Sequence, residues 1–292
     1  MASKFASPYN LLFFAVLIMC YADSSNSFPS PQKFLMGMNG TRKGDRANGL
    51  IELKKYLQHF GYMDVMHQND DFFDETLESA IKEYQNYYNL NTTGFLDEET
   101  VVLLSTPRCG VPDQMMTSFS EHIDHRSNMS ARYKLVRRWP TNMRNLNYSY
   151  MDDFSLFQSI EISKALEKWA AVSPFTFRYT GLSNARVLIG LRRLEHGDGH
   201  PFDGPGGVLG HAFYPKRGEL HFDEDENWVT YKDPGPDEVD VQSVALHELG
   251  HILGLGHSYD KNAVMFAYFA YGMTKRYLAQ DDIDGIRALY PS

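Results

Sequence analysis

The segment His247-Glu248-Leu249-Gly250-His251-Ile252-Leu253-Gly254-Leu255-Gly256-His257 constrains this chain more than any other. His247 and His251 are four residues apart, so on a helix both imidazoles leave one face. Gly254 can abandon the helical conformation at little cost and turn the chain. The return carries His257 toward the same point. Three neutral imidazoles with one position left open make a catalytic zinc site. Glu248 follows the first ligand directly, where it can take a proton from the attacking water and hand it to a leaving amine. The fold must therefore hold one helix rigidly and end it in a sharp turn.

The N-terminus carries a second signal. Lys4 precedes an apolar run over residues 11–20, and Cys20-Tyr21-Ala22 offers a small residue at a cleavage point. The run is too short to span a membrane, so a signal peptide over 1–22 and a secreted product without a membrane anchor are expected. Of the two cysteines, Cys20 then leaves with the signal and Cys109 remains alone in an oxidising compartment. A leftover cysteine there points to a metal ligand, a reactive thiol or an intermolecular bridge. At 292 residues and 43% apolar composition the chain is globular and long enough for two domains. A net charge of −9 argues against a nucleic-acid partner.

Periodicity divides the chain. A Ser/Pro-rich stretch over 24–31 reads as a linker. Apolar residues at helical spacing predict helices over 50–60, 74–88 (Asp74 capping) and 97–105, a small all-α module. A polar stretch follows, read as an exposed linker. Beyond it, strands are expected over 146–150, 175–179, 187–191, 209–214 and 219–222, with helices over 157–171, 239–253 and 279–289. Interleaved strands and helices make this half an α+β domain with a mixed sheet.

The helix motif, Met265 eight residues after His257, and Pro107-Arg108-Cys109-Gly110-Val111-Pro112-Asp113 together resemble the matrix metalloproteinases, a metzincin family. The wording of the last segment is similar to the plant branch, and no haemopexin-like domain is expected. The resemblance implies a mixed twisted sheet with three helices, preceded by a three-helix prodomain similar to peptidoglycan-binding domains. It divides the chain into a signal peptide (1–22), a propeptide (23–132) and a zinc peptidase domain (133–292). Within the propeptide lie the helical module (about 40–106), a cysteine-switch segment (107–113) and an activation linker (114–132).

In that family the thiolate of a residue matching Cys109 fills the fourth zinc position and keeps a zymogen latent, and Arg108 and Asp113 hold the loop as an ion pair. Met265 matches the methionine of a turn beneath the zinc. His196, Asp198, His211 and His221 match a structural zinc site of four protein ligands. A glycine-rich loop resembles a calcium site, with Asp203, Asp223 and Glu226 as side-chain ligands and Gly204, Gly206 and Val208 acting through backbone oxygens. Arg186 stands where the family often has an aspartate, which argues against a second calcium site. Phe266-Ala267-Tyr268 replaces the family's usual proline-bearing wall of the pocket for the residue after the scissile bond.

The expected activity is hydrolysis of extracellular matrix or cell-wall proteins, bound as extended peptides along a strand edge near 207–213. An activating protease is the implied partner, and a monomer the expected state. Sequons at Asn39, Asn91, Asn128 and Asn147 fit a secreted glycoprotein. An inactive, peptidase-like extracellular binding protein is the alternative, and a glycan-binding N-terminal module a third reading.

Overall fold

The computed structural model describes residues 29–64, 70–114 and 132–291. The expected signal peptide, nearly all of the activation linker and the sequon at Asn128 lie outside these residues.

The N-terminal module consists of α1 (Pro31–Phe34), α2 (Leu50–His59), α3 (Glu75–Tyr87) and α4 (Glu98–Leu104). Asp74 caps α3 by accepting from the Leu77 backbone N–H at 2.8 Å, and Asp97 caps α4 through Thr100 at 2.9 Å. The residues on the expected stripes of α2 and α3, among them Leu53, Leu57, Leu77, Ile81 and Tyr84, form one buried cluster. The linker expected over 24–31 gives way to α1 at Pro31, whose Phe34 joins that cluster. A four-residue helix is too short to show periodicity.

The C-terminal half adds strands β1 (Arg108–Cys109), β2 (Lys134–Leu135), β3 (Asn145–Tyr150), β4 (Thr176–Tyr179), β5 (Val187–Arg192), β6 (Val208–Ala212), β7 (Glu219–Asp223), β8 (Trp228–Val229), β9 (Val239–Asp240) and β10 (Leu255–Gly256). Its helices are α5 (Leu156–Val172), α6 (Val241–Leu253) and α7 (Gln280–Leu289), with a 3₁₀ turn at Leu182–Asn184. The main sheet has the order β1-β6-β7-β5-β3-β4. Strands β3, β4, β5 and β7 are parallel, β6 is antiparallel to β7, and β1 is parallel to β6. This is the expected mixed sheet with three helices.

Helix α6 is buried along its whole length. Its last turn leaves carbonyls that no helical N–H can reach. Trp139 Nε1 donates to Ile252 O at 2.8 Å, Tyr290 OH to Leu253 O at 2.7 Å, and Gly254 N to His251 O at 2.9 Å. From α5, Trp169 Nε1 donates to Leu246 O at 2.7 Å. These bonds clamp the one helix that carries the motif. The helix expected from 239 begins at Val241, because Val239 and Asp240 pair with β8 and the Asp240 carboxylate caps the helix through Ser243 N at 2.9 Å.

Candidate metal centre

Two glycines shape the motif, for different reasons. Gly254 closes α6 at φ 105°, a left-handed conformation, and a Cβ there would overlap the carbonyl oxygen of Arg137. Gly250 faces Met265, whose sulfur lies where a Cβ would stand. The first glycine turns His257 back toward the helix and the second lets the methionine pack directly beneath it.

Three imidazole Nε2 atoms converge, with His251 at 3.0 Å from His247 and 3.2 Å from His257. Cys109 Sγ lies 3.4 Å from His251 Nε2, and all four ligand atoms lie within 4.8 Å of one another. The edge of a tetrahedron of nitrogens around zinc is about 3.3 Å. Each Nδ1 meets an acceptor at 2.7 Å: Val264 O for His247, Leu255 O for His251 and Asp113 Oδ1 for His257. Those partners place the proton on Nδ1 and leave Nε2 lone pairs facing one another. Lone pairs converging at that spacing suit a cation, so the residues fit zinc. Burial lowers the pKa of all three imidazoles, which keeps them neutral as ligation requires; Asp113 partly opposes this at His257.

With protein groups alone, burial pushes the Cys109 thiol up and the charge of Glu248 adds to it, against a hydrogen bond from Val111 N at 3.3 Å. A cation reverses that balance, because a coordinating thiol is deprotonated. Glu248 is buried, and neither of its oxygens has a hydrogen-bond partner among the described residues. Burial pushes its carboxyl up to about 8, and the neighbouring thiol partly offsets the shift. A buried carboxyl group with free lone pairs beside the converging ligand atoms is placed for general base work.

Within the 107–113 segment, Arg108–Cys109 lies in the cleft as a strand, which sequence reasoning did not anticipate. Arg108 N donates to Gly207 O at 2.7 Å and Gly110 N to Gly210 O at 2.8 Å, on the β6 side. On the other side, Cys109 N donates to Ala267 O at 2.9 Å and Phe269 N to Pro107 O at 2.8 Å. Arg108 and Asp113 form a buried bidentate pair at 2.7 and 3.1 Å. The guanidinium also stacks on Phe60 at 3.5 Å and donates to Tyr268 OH at 3.1 Å. Tyr268 OH in turn meets Tyr84 OH at 2.7 Å and Tyr56 OH at 3.3 Å, so the wall after Met265 is embedded in the N-terminal module.

A second cluster gathers the other expected set. Asp198 Oδ2 lies 2.8 Å from His196 Nε2 and 2.9 Å from both His211 Nε2 and His221 Nδ1. All four ligand atoms again lie within 4.8 Å of one another. Burial opposes ionisation of Asp198, but hydrogen bonds from His211 and His221 outweigh it and hold the carboxyl well below its usual range.

Asp203, Asp223 and Glu226 are brought to one loop region but do not form a third such cluster among the described residues. Asp203 Oδ1 accepts from Val208 N at 3.0 Å and Glu226 Oε1 from Gly206 N at 2.7 Å, while Asp203 Oδ2 and Asp223 Oδ2 are buried without partners. Burial raises Asp203 well above its usual value and pushes Asp223 and Glu226 up to about 7. Orphaned buried carboxylate oxygens on a loop with Gly204 and Gly206 at positive φ suit a hard cation. Asn39 and Asn91 are exposed, whereas Asn147 is half-buried within β3.

One residue that sequence reasoning passed over is Asp282. Its buried carboxylate accepts from Val264 N (2.9 Å), Met265 N (3.0 Å) and Ala279 N (2.8 Å), fixing the methionine turn to the start of α7. The only sequence signal was a pair of acidic residues in a helix's first turn.

Comparison with known proteins agrees with this geometry. The family model described as Matrixin matches residues 138–291, and a peptidoglycan-binding-domain model matches 46–104. The chain is 43% identical over 259 residues to "Metalloendoproteinase 1" of Glycine max, covering 85% of this chain and 83% of that protein. It is 40% identical over 265 residues to "Metalloendoproteinase 5-MMP" of Arabidopsis thaliana, covering 86% and 73%. With "Matrilysin" of Homo sapiens it shares 34% identity over 281 residues, covering 93% and 94%.

Proposed function

The chain belongs to the matrixin family of zinc metalloendopeptidases, and on that premise we propose that it is a secreted enzyme held latent by its own N-terminal segment. The observation that carries this is the shared sphere of Cys109 Sγ and three imidazoles, with the unpartnered carboxylate of Glu248 beside it. His247, His251 and His257 hold the catalytic zinc, and Cys109 closes the fourth position with its thiolate. The bound ion supplies Lewis acidity toward the scissile carbonyl and lowers the pKa of the attacking water. Glu248 receives that water's proton and returns it to the leaving amine.

Residues 107–113 act as the cysteine switch, and cutting within 114–132 by another protease releases them. Substrate takes the same edge of β6 that β1 now fills, as an extended chain bonded through its backbone. An apolar residue after the cut enters the pocket behind His247. Extracellular matrix or cell-wall proteins are the substrates. His196, Asp198, His211 and His221 hold a structural zinc, and the acidic loop holds calcium through Asp203, Asp223, Glu226 and the carbonyls of Gly204, Gly206 and Val208. The exposed Asn39 and Asn91 accept glycans. The N-terminal apolar run supports secretion, and among the described residues no helix is long and apolar enough to cross a membrane.

The test is cleavage of a quenched peptide with an apolar residue after the scissile bond, by the full chain with and without a mercurial. Activity is expected only with the mercurial and is abolished by zinc chelation. Glu248→Gln is expected to lose about 10²–10⁴-fold in kcat while keeping its zinc. Mercurial-independent activity would remove the switch. No activity from a zinc-loaded, processed protein would leave a binding protein instead.

A further inference from the structure

The three imidazoles of the catalytic cluster are oriented by unlike partners. His247 and His251 donate to backbone carbonyls of the C-terminal half, Val264 O and Leu255 O. His257 donates to a carboxylate, Asp113 Oδ1 at 2.7 Å, and both side chains are buried. Asp113 precedes the stretch 115–131, so it belongs to the segment that activation would remove. Its remaining bonds lock it in place. Arg108 donates to both oxygens, and Tyr62 OH donates to Oδ2 at 2.7 Å.

Resting on the latent-enzyme reading above, we propose that Asp113 is a positioning residue for the zinc ligand His257, so that the segment blocking the site also strengthens its grip on the metal. A carboxylate at the far nitrogen fixes the tautomer and ring direction and raises the ligand's basicity. The backbone carbonyls at His247 and His251 do the first but carry no net charge. The segment thus has two separate grips on the centre, Cys109 on the ion itself and Asp113 behind a ligand. Both are lost at processing, and the precursor is the form that retains zinc best. The resident partners of His247 and His251 stay in place throughout.

The experiment uses the intact, zinc-loaded chain challenged with a chromogenic zinc chelator. Asp113→Asn keeps the shape and removes the charge facing His257. Tyr62→Phe removes a different hydrogen bond from the same carboxylate without touching His257, and so reports loosening of the loop alone. Asp113→Asn is expected to hold zinc about 10–100-fold less tightly than the parent, and Tyr62→Phe to stay within about threefold of it. With ¹⁵N-labelled histidine, the Nδ1–H resonance of His257 alone should move among the three ligands in Asp113→Asn. Equal weakening by both variants, no weakening by Asp113→Asn, or a shift of all three resonances would overturn the proposal. Cys109→Ser separates it from the switch: if that variant stays latent the switch reading fails, while zinc retention in Asp113→Asn still decides the role of Asp113.

Discussion

Replacing Tyr268 by phenylalanine keeps a ring and removes one hydroxyl from the contact between the N-terminal module and the cleft. That hydroxyl accepts from Arg108 Nη1 at 3.1 Å and bonds Tyr84 OH at 2.7 Å and Tyr56 OH at 3.3 Å, all in a buried cluster. Tyr84 OH loses its partner in a dry site, which costs ~1–3 kcal/mol, and Arg108 loses one of several charge-assisted bonds, worth ~1–2 kcal/mol. The sum, about 2–5 kcal/mol, is felt only while the module is docked, because on separation these groups meet water. At ~1.4 kcal/mol per decade, an opening equilibrium shifts by about 30- to 4,000-fold. The assay is the rate at which an aromatic disulfide reagent modifies Cys109 in the folded, zinc-loaded chain, read by peptide mass. Tyr268→Phe should react at least about 30-fold faster than the parent. A rate indistinguishable from the parent would refute the reasoning, since it would mean that exposing Cys109 does not require this cluster to separate. Tyr84→Phe combined with Tyr268→Phe should fall short of additivity, because the second change deletes a group that the first leaves unsatisfied.

Gly254→Ala forces a Cβ against Arg137 O at a left-handed position and should destabilise the chain by about 2 kcal/mol or more, lowering the melting temperature by about 4–8 °C; an unshifted melting temperature would show that the turn can rearrange. The acidic loop makes a pH prediction. Burial raises Asp223 and Glu226 to about 7, so their contribution to stability is complete below the ordinary carboxylate range and is lost as pH rises through about 7. With calcium withheld and zinc retained, the protein should melt lower near pH 8 than near pH 5.5, and added calcium should restore the value near pH 8. Melting that ignores both pH and calcium would remove the cation from this loop.

What the sequence could reveal followed the range of the interactions involved. Helix α3 was legible because its stripe Leu77, Ile81, Tyr84 and its cap Asp74 are local features. The convergence of His247, His251 and His257 was legible because four-residue spacing and one glycine determine most of their geometry. Strand β1 was not. Two residues carry no alternation, and Arg108 and Cys109 become a strand only by pairing with β6, about a hundred residues onward. The second role of Asp113 was hidden in the same way, since His257 lies across the fold from it. The wall at Tyr268 read as part of a substrate pocket; that its hydroxyl is buried among tyrosines of another module depends on how two cores meet.

The placement of β1 at the end of the main sheet has a consequence for the protein in bulk. While β1 is there, the polar backbone of β6 is bonded on both flanks, to β1 and to β7. Were residues 107–113 removed, as the proposed processing requires, one flank of β6 would become an open row of N–H and C=O groups, which another strand of any origin can match. On the latent-enzyme reading proposed above, the unprocessed chain would therefore be protected from aggregation at high concentration as well as from its own activity. Self-association and precipitation should be sought in the processed form, and they should recede when an extended peptide occupies the vacated edge.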